Sequence, residues 1–509
     1  MEKVKGLVFC ALGILTAALV VAAGIYCLNP ALLTYRPNLP MGLVLLATIG
    51  MGLAYQGARY RYGADRTAAG KDKLLWIALV IIGLGAGAYL FQVNRREANR
   101  ASVENADPHL QAALGTHFII AYPGDYDAFQ LIRKGLVAGF FFDERHIEGM
   151  SVSDFSILTR GLQKEARASG VPPLLLCTDQ EGGLVNKLSP LVPAGPSLKS
   201  MLGLEHNPSL EEIKQSAFVY GARQGKVLRS VGINMDLAPV ADLMPPNPIA
   251  GDAHTHLEQR AVSADPAITE AAVEGFAGGL QSEGVRAVLK HFPGLGGVDV
   301  DTHLKTGVIT KPIAQLGPND WKPFLETARA LKPAPGIMLG HVSVPELDPV
   351  RLMSYSPRAV DLIQKFAPGA ITITDCYSMG PIWNGPGGVA GATRQALESG
   401  VDFILFAWDG EAYYDGIGDA LKQAQTGMLN TESLLESAQR VLTFRASVFI
   451  PGPWEKDDAA SRLERGETPV APESAAPAAP VAALSAPNPS PAEQGLPAGD
   501  PAAPVAPTP

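Results

Sequence analysis

From about residue 108 to residue 449, short apolar runs alternate with amphipathic stretches. Eight of the runs read as strands: Thr116–Tyr122, Leu136–Phe142, Pro173–Asp179, Asn234–Asp242, Ala287–Phe292, Gly336–Val344, Ala370–Asp375 and Phe403–Trp408. Their apolar and β-branched residues run on continuously, which suits parallel strands buried on both faces. Between them, helical spacing covers Asp154–Ser169, Leu210–Val231, Pro266–Glu283, Pro318–Leu331 and Gly387–Ser399. Glycines at 170, 232 and 400 stand where helix C-termini close. Eight strand–helix units in this length predict a (β/α)8 TIM barrel, with an open doubly wound sheet as the alternative left by counting alone. The polar residues favour the barrel. Asp179, Asp242, Lys290-His291, His341 and Asp375 each fall at the carboxyl end of a different expected strand. In a barrel those ends converge on one mouth.

The same reading separates the two ends of the chain. Gly6–Leu28 and Leu74–Phe91 are uncharged and long enough to cross a bilayer, and Met41–Gly57 lies at the short limit of roughly 17–25 residues. A cleaved signal peptide fits poorly, because the first apolar core is too long and two more follow. Lys3 and Lys5 precede the first stretch, and Arg59, Arg61, Arg66, Lys71 and Lys73 crowd the loop before the third. Positive charge stays inside. Three spans then put everything after Phe91 on the extracytoplasmic, periplasmic side of a bacterial inner membrane. Arg95, Arg96 and Arg100 weigh the other way, and the orientation changes if Met41–Gly57 does not span. The expected division is a membrane segment over 1–100, a barrel over 105–453 and a tail over 454–509. Ser474 to Pro509 is mostly Ala and Pro, so it is expected to be a disordered extension, and it points to no particular partner.

Composition narrows the function. The 509 residues carry a formal net charge of -9 and no basic groove-like run, which speaks against nucleic acid. Cys10, Cys27, Cys177 and Cys376 show neither zinc-site spacing nor a disulfide framework. His254 and His256 form an H-x-H, but no carboxylate or Cys completes a believable metal site. No metal and no organic cofactor is expected.

The chemistry centres on Lys290-His291-Phe292-Pro293-Gly294, which leads through a glycine-rich loop to Asp301-Thr302-His303. An Asp beside an imidazole can hold one ring nitrogen while the other faces a substrate. The triplet alone is common in loops; the whole string, KHFPGLGGVDVDTH, is not. It resembles the signature of glycoside hydrolase family 3, in particular bacterial β-N-acetylhexosaminidases of the NagZ type. Further segments in family order extend the resemblance: Phe142 to Ile147, Thr178-Asp179-Gln180-Glu181-Gly182-Gly183, Gly232 to Asp242, Gly340 to Pro345, and Ile373-Thr374-Asp375-Cys376-Tyr377-Ser378-Met379-Gly380.

The resemblance implies Asp375 as the nucleophile of a retaining double displacement. It implies His303 as general acid/base, oriented by Asp301, in place of the second carboxylate most glycosidases use. It implies Asp179, Arg260, Lys290 and His291 as the sugar-binding set. The expected activity is removal of β-linked N-acetylglucosamine from peptidoglycan-derived muropeptides or related amino sugars. Four positions depart from the family pattern: Leu184 replaces Arg, Leu295 replaces His, Gly297 replaces Asp, and Cys376 replaces the second Asp of an Asp-Asp pair. None removes the nucleophile or the dyad, but they bear on substrate preference. The alternatives are a β-glucosidase, a glycoside phosphorylase, or a catalytically impaired, membrane-tethered wall-binding scaffold.

Overall fold

The computed structural model describes residues 2–27, 29, part of 42–56, and 69–448. The tail expected from 454 onward lies outside the described residues. Twelve strands are described: β1 (Phe118–Ala121), β2 (Gly139–Phe141), β3 (Leu175–Thr178), β4 (Gln180–Gly182), β5 (Val185–Asn186), β6 (Met235–Asp236), β7 (Arg286–Phe292), β8 (Gly307–Val308), β9 (Gly336–Leu339), β10 (Val342–Ser343), β11 (Thr372–Cys376) and β12 (Phe403–Phe406). Eight of them close a parallel barrel in the order β1, β2, β3, β6, β7, β9, β11, β12 and back to β1. β4 with β5 and β8 with β10 form small two-stranded sheets.

Alternation along the strands builds the core in two layers. On β3, Leu175 and Cys177 join one apolar cluster with Ile119, Phe141, Val288 and Ile373. Leu174 and Leu176 join the larger cluster shared with the surrounding helices. Successive side chains point to opposite faces of a strand, and a barrel closed by helices buries both. The eight expected strands are all present, but the fourth is much shorter than its apolar run. Pro239 has no N–H to give a ladder, and beyond Asp236 a single bridge between Val240 and Lys290 remains. The glycines expected to close helices do so in the left-handed region, with φ of 68° at Gly170, 88° at Gly232 and 75° at Gly400.

The amino-terminal part departs from expectation. Helix α1 (Glu2–Tyr26) covers the first apolar stretch, and helix α2 (Ala69–Glu104) contains the third. Among the described residues no helix is long and apolar enough to cross a membrane. The three expected spans are therefore not found there as spanning helices, and each runs through positions outside those residues or their side chains. α2 also crosses the expected boundary near residue 100 without a break. Its last turns belong to the barrel: Arg96 meets Asp409 at 3.4 Å, Asn99 donates to Asp415 at 2.7 Å, and Arg100 meets Asp127 at 2.5 Å. Arg95 also pairs with Asp415, at 3.9 Å. The arginines that weighed on membrane orientation are thus partners of barrel carboxylates.

At the foot of the barrel, Arg445 is fully buried. Its guanidinium donates to Pro172 O at 2.7 Å, Pro173 O at 3.0 Å and Thr116 Oγ1 at 2.9 Å. Burial pulls its pKa down to about 9. Arg445→Met leaves three buried acceptors unpaired and is expected to cost about 2–4 kcal/mol. Chemical denaturation measures this, and a loss under about 0.5 kcal/mol would contradict the assignment.

Candidate active site

Two buried cations share one carboxylate at the mouth. Lys290 lies two residues before the end of β7, and its Nζ lies 2.5 Å from Asp179 Oδ1 and 2.6 Å from Glu181 Oε1. Arg260 closes a short helix after β6 and grips Glu181 with Nε at 2.9 Å and Nη2 at 2.7 Å. Its Nη1 donates to Thr255 O at 2.9 Å. Burial alone would raise the Glu181 pKa, but Arg260 and Lys290 outweigh it and hold it down to about 2. Burial likewise opposes the charge on Lys290, and Asp179 and Glu181 outweigh it, so its pKa is raised.

His291 points its Nδ1 at Asp242 Oδ2, 2.7 Å away. The same carboxylate accepts the backbone N–H groups of His291 at 3.1 Å and Leu295 at 2.7 Å. Asp242 therefore fixes both an imidazole and the root of the following loop. Gly294, at φ 99°, turns that loop away from the strand.

The loop then delivers the Asp–His dyad. Asp301 Oδ1 accepts from His303 N–H at 2.9 Å and stands 3.1 Å from its Nδ1. With Nδ1–H bonded to the carboxylate, Nε2 is the nitrogen left for a substrate. Asp301 is held from behind by Thr255 Oγ1 at 3.2 Å and by Ala253 N–H at 3.2 Å. Burial opposes its charge, but the backbone N–H groups of His303 and Ala253, together with the His303 ring, outweigh it and lower its pKa. The His303 side chain stays 39% exposed. Desolvation lowers its pKa, against the opposing pull of Asp375 and Asp301, and Arg260 and His254 lower it further.

Asp375 is the fourth residue of β11 and is partly exposed at the mouth. Cys376 N–H donates to its Oδ1 at 2.7 Å. Burial raises its pKa, yet His291, His341, His303 and that N–H outweigh it, so the carboxylate titrates below its ordinary value. His341 braces the neighbourhood, with Nδ1 2.9 Å from Ser354 Oγ and Nε2 3.0 Å from Cys376 O. Burial lowers the His341 pKa, which favours the neutral ring.

All seven residues singled out in the sequence, Asp179, Arg260, Lys290, His291, Asp301, His303 and Asp375, lie in this mouth or on the loop over it. Asp242 and His341 were expected at the mouth from sequence but were given no role there, and Glu181, His254 and Thr255 were not placed in the site. Glu181 carried a signal: it stands two residues after Asp179, at the spacing that puts strand side chains on one face. Thr255 carried none, since it reaches Asp301 across 46 positions. His254, read in sequence only as half of an H-x-H, has its ring 5.3 Å from that of His303. His256 sits 4.0 Å from Glu258. Among the described residues no group of three or more His, Cys, Asp or Glu is placed to hold a metal ion.

Comparison with known proteins agrees with this geometry. Residues 125–444 match the glycosyl hydrolase family 3 N-terminal domain. The chain is similar to the β-hexosaminidase LpqI of Mycobacterium tuberculosis, with 31% identity over 314 residues, covering 59% of this chain and 76% of the relative. It is 30% identical to a β-hexosaminidase of Xanthomonas oryzae pv. oryzae, covering 54% of this chain and 78% of that one. A family 3 β-N-acetylglucosaminidase structure from Paenibacillus sp. str. FPU-7 superposes with a TM-score of 0.58 at 25% identity, covering 74% of this chain and 68% of that one.

Glu181 is depressed from an ordinary 4.5 to about 2, so the stability it contributes is present above pH 4.5 and is lost as pH falls toward 2. Glu181→Gln is expected to destabilise the protein by about 3 kcal/mol at neutral pH. The gap between the two proteins should narrow as pH drops below 4.5 in denaturation series. A gap constant across that window would exclude the linkage.

Proposed function

This chain belongs to glycosyl hydrolase family 3, and on that premise we propose that it removes β-linked N-acetylglucosamine from non-reducing ends of peptidoglycan-derived or related amino sugars, with retention. The chain is a glycoside hydrolase. The carrying observation is one mouth that holds a carboxylate of depressed pKa, Asp375, and an imidazole aligned by a second carboxylate, His303 on Asp301. The sugar is supported by the relatives named as β-hexosaminidases.

In this reading Asp375 attacks the anomeric carbon as the bond to the leaving oxygen breaks. His303 Nε2 gives that oxygen its proton. In the second half, His303 takes a proton from water, and the water displaces Asp375 from the sugar. Asp301 holds the ring in the required tautomer and stabilises the imidazolium. Asp179, Lys290, His291 and Arg260 meet the sugar hydroxyls, with Glu181 setting the positions of the two long cations.

We also read the barrel as tethered to a membrane through three apolar stretches, Gly6–Leu28, Met41–Gly57 and Leu74–Phe91, which places it on the extracytoplasmic side. Support comes from Lys3 and Lys5 ahead of the first apolar stretch. It comes also from exposed large apolar side chains such as Leu12, Leu15, Leu19, Leu84 and Phe91. A reporter fused to the carboxyl terminus that is active only in the cytoplasm would overturn the sidedness.

Hydrolysis of chromogenic N-acetyl-β-glucosaminide by the full chain in detergent tests the reaction. Asp375→Ala and His303→Ala should each lower kcat/KM by at least about 100-fold. Proton donation needs His303 charged, so activity should fall as pH rises through a value below the ordinary 6.5. Asp301 raises the His303 pKa, and Asp301→Asn should move this limb to still lower pH. An unmoved limb, or full activity in Asp375→Ala, would remove these roles.

A further inference from the structure

The direction of α2 fixes which end of the barrel meets the tether. Arg96 pairs with Asp409, three residues past the end of β12 and so at the catalytic mouth. Eight residues later, Glu104 O accepts from Lys134, which follows the helix Asp125–Arg133 at the foot of the barrel. At 1.5 Å per residue that is about 12 Å of helix running from mouth to foot. The earlier part of α2 therefore projects away from the barrel on the mouth side. α1 lies alongside it in the same direction: Val20 and Gly24 face Gly85, and Gln92 Nε2 donates to Ile25 O at 3.4 Å. The carboxyl end of α1 reaches a cavity of about 610 Å³ shared with Gly387 and Gly388, on the mouth-side loop after β11.

The spacing is short. Phe91, 66% exposed, is the last large exposed apolar side chain of α2 before Arg96. Five residues of helix are about 7.5 Å, close to the roughly 5–8 Å of one headgroup layer. The mouth itself carries exposed apolar side chains on four separate loops: Leu184, Leu304, Val350 and Trp408. Leu304 directly follows His303. Arg145 lies over the Trp408 ring at 4.3 Å and donates to Trp408 O at 2.9 Å, holding that residue in place.

We propose that the catalytic mouth faces the membrane surface and that the preferred substrate is a membrane-resident amphiphile, a β-linked N-acetylamino sugar carried on an apolar aglycone in the same bilayer. This rests on the reading of the chain as a tethered glycoside hydrolase. A polar glycan free in solution gives Leu184, Leu304 and Val350 no apolar surface to pack against, whereas the aglycone and the bilayer surface do. Sharing a bilayer also raises the effective concentration of substrate at the mouth.

The test uses the full chain reconstituted in phosphatidylcholine–phosphatidylglycerol vesicles. Flotation checks the tether, and chromogenic N-acetyl-β-glucosaminide checks the reaction. The deciding pair is octadecyl and methyl N-acetyl-β-glucosaminide in the same vesicles. The octadecyl substrate should show at least a ten-fold higher kcat/KM. The Val350→Glu chain should lose much of that preference and keep its rate on the methyl substrate. Equal kcat/KM for the two glycosides, in vesicles that float and hydrolyse the chromogenic compound, overturns this inference alone. Failure to float or to hydrolyse overturns the reading beneath it. A preference that survives Val350→Glu undiminished overturns the role of the apolar rim.

Discussion

Lys290 and Arg260 are cations taken almost wholly out of water at the open end of a barrel, and both are held by the single carboxylate of Glu181. Taking such charges from water costs several kcal/mol per ion unless geometry and hydrogen bonding return it. Here the return is a two-pronged Arg–carboxylate contact and a shared Lys, with Asp179 as second partner to the lysine. Because the partners come from the ends of β3 and β7 and from the segment after β6, the network also ties three walls of the mouth together. The mouth can then offer its donors to a sugar without rearranging, which is how preorganised polar sites act.

The long loop after β7 obeys a similar logic at its two ends. Asp242 holds the start through Leu295 N–H, and Thr255 and Ala253 hold the far end through Asp301. Two of the four departures from the family pattern, Leu295 and Gly297, fall between these anchors. Leu295 is 2% exposed and packs in the core, so its substitution makes the loop root apolar. A Cβ added at Gly297 would point into open space. Cys376 keeps its backbone N–H on Asp375 whatever its side chain. The loop's chemistry is thus changed around the dyad while the dyad's own hydrogen bonds stay intact.

The joint between α2 and the barrel constrains the molecule on a larger scale. α2 is a single helix that brings Arg96, Asn99 and Arg100 against Asp409, Asp415 and Asp127. Asp409 is itself linked to the strand that carries Asp375, since its N–H donates to Ser378 Oγ at 3.0 Å. α2 and the segment that follows Asp375 are therefore separated by two contacts.

By itself the sequence determined the barrel and the convergence of its polar strand ends, because a two-sided buried strand needs a continuous apolar run and a strand end needs none. It also picked out seven candidate residues that the fold brings to the mouth, because the strings that carry them are local. Only the tertiary structure decided that Glu181 and Thr255 belong with them, and which partners Asp242 and His341 take, since each acts through contacts with segments distant in the chain. The shortened β6 and the fate of Arg95, Arg96 and Arg100 were likewise set by packing. A charge read along the chain has only a sign, and what it is for depends on which carboxylate the fold brings to it.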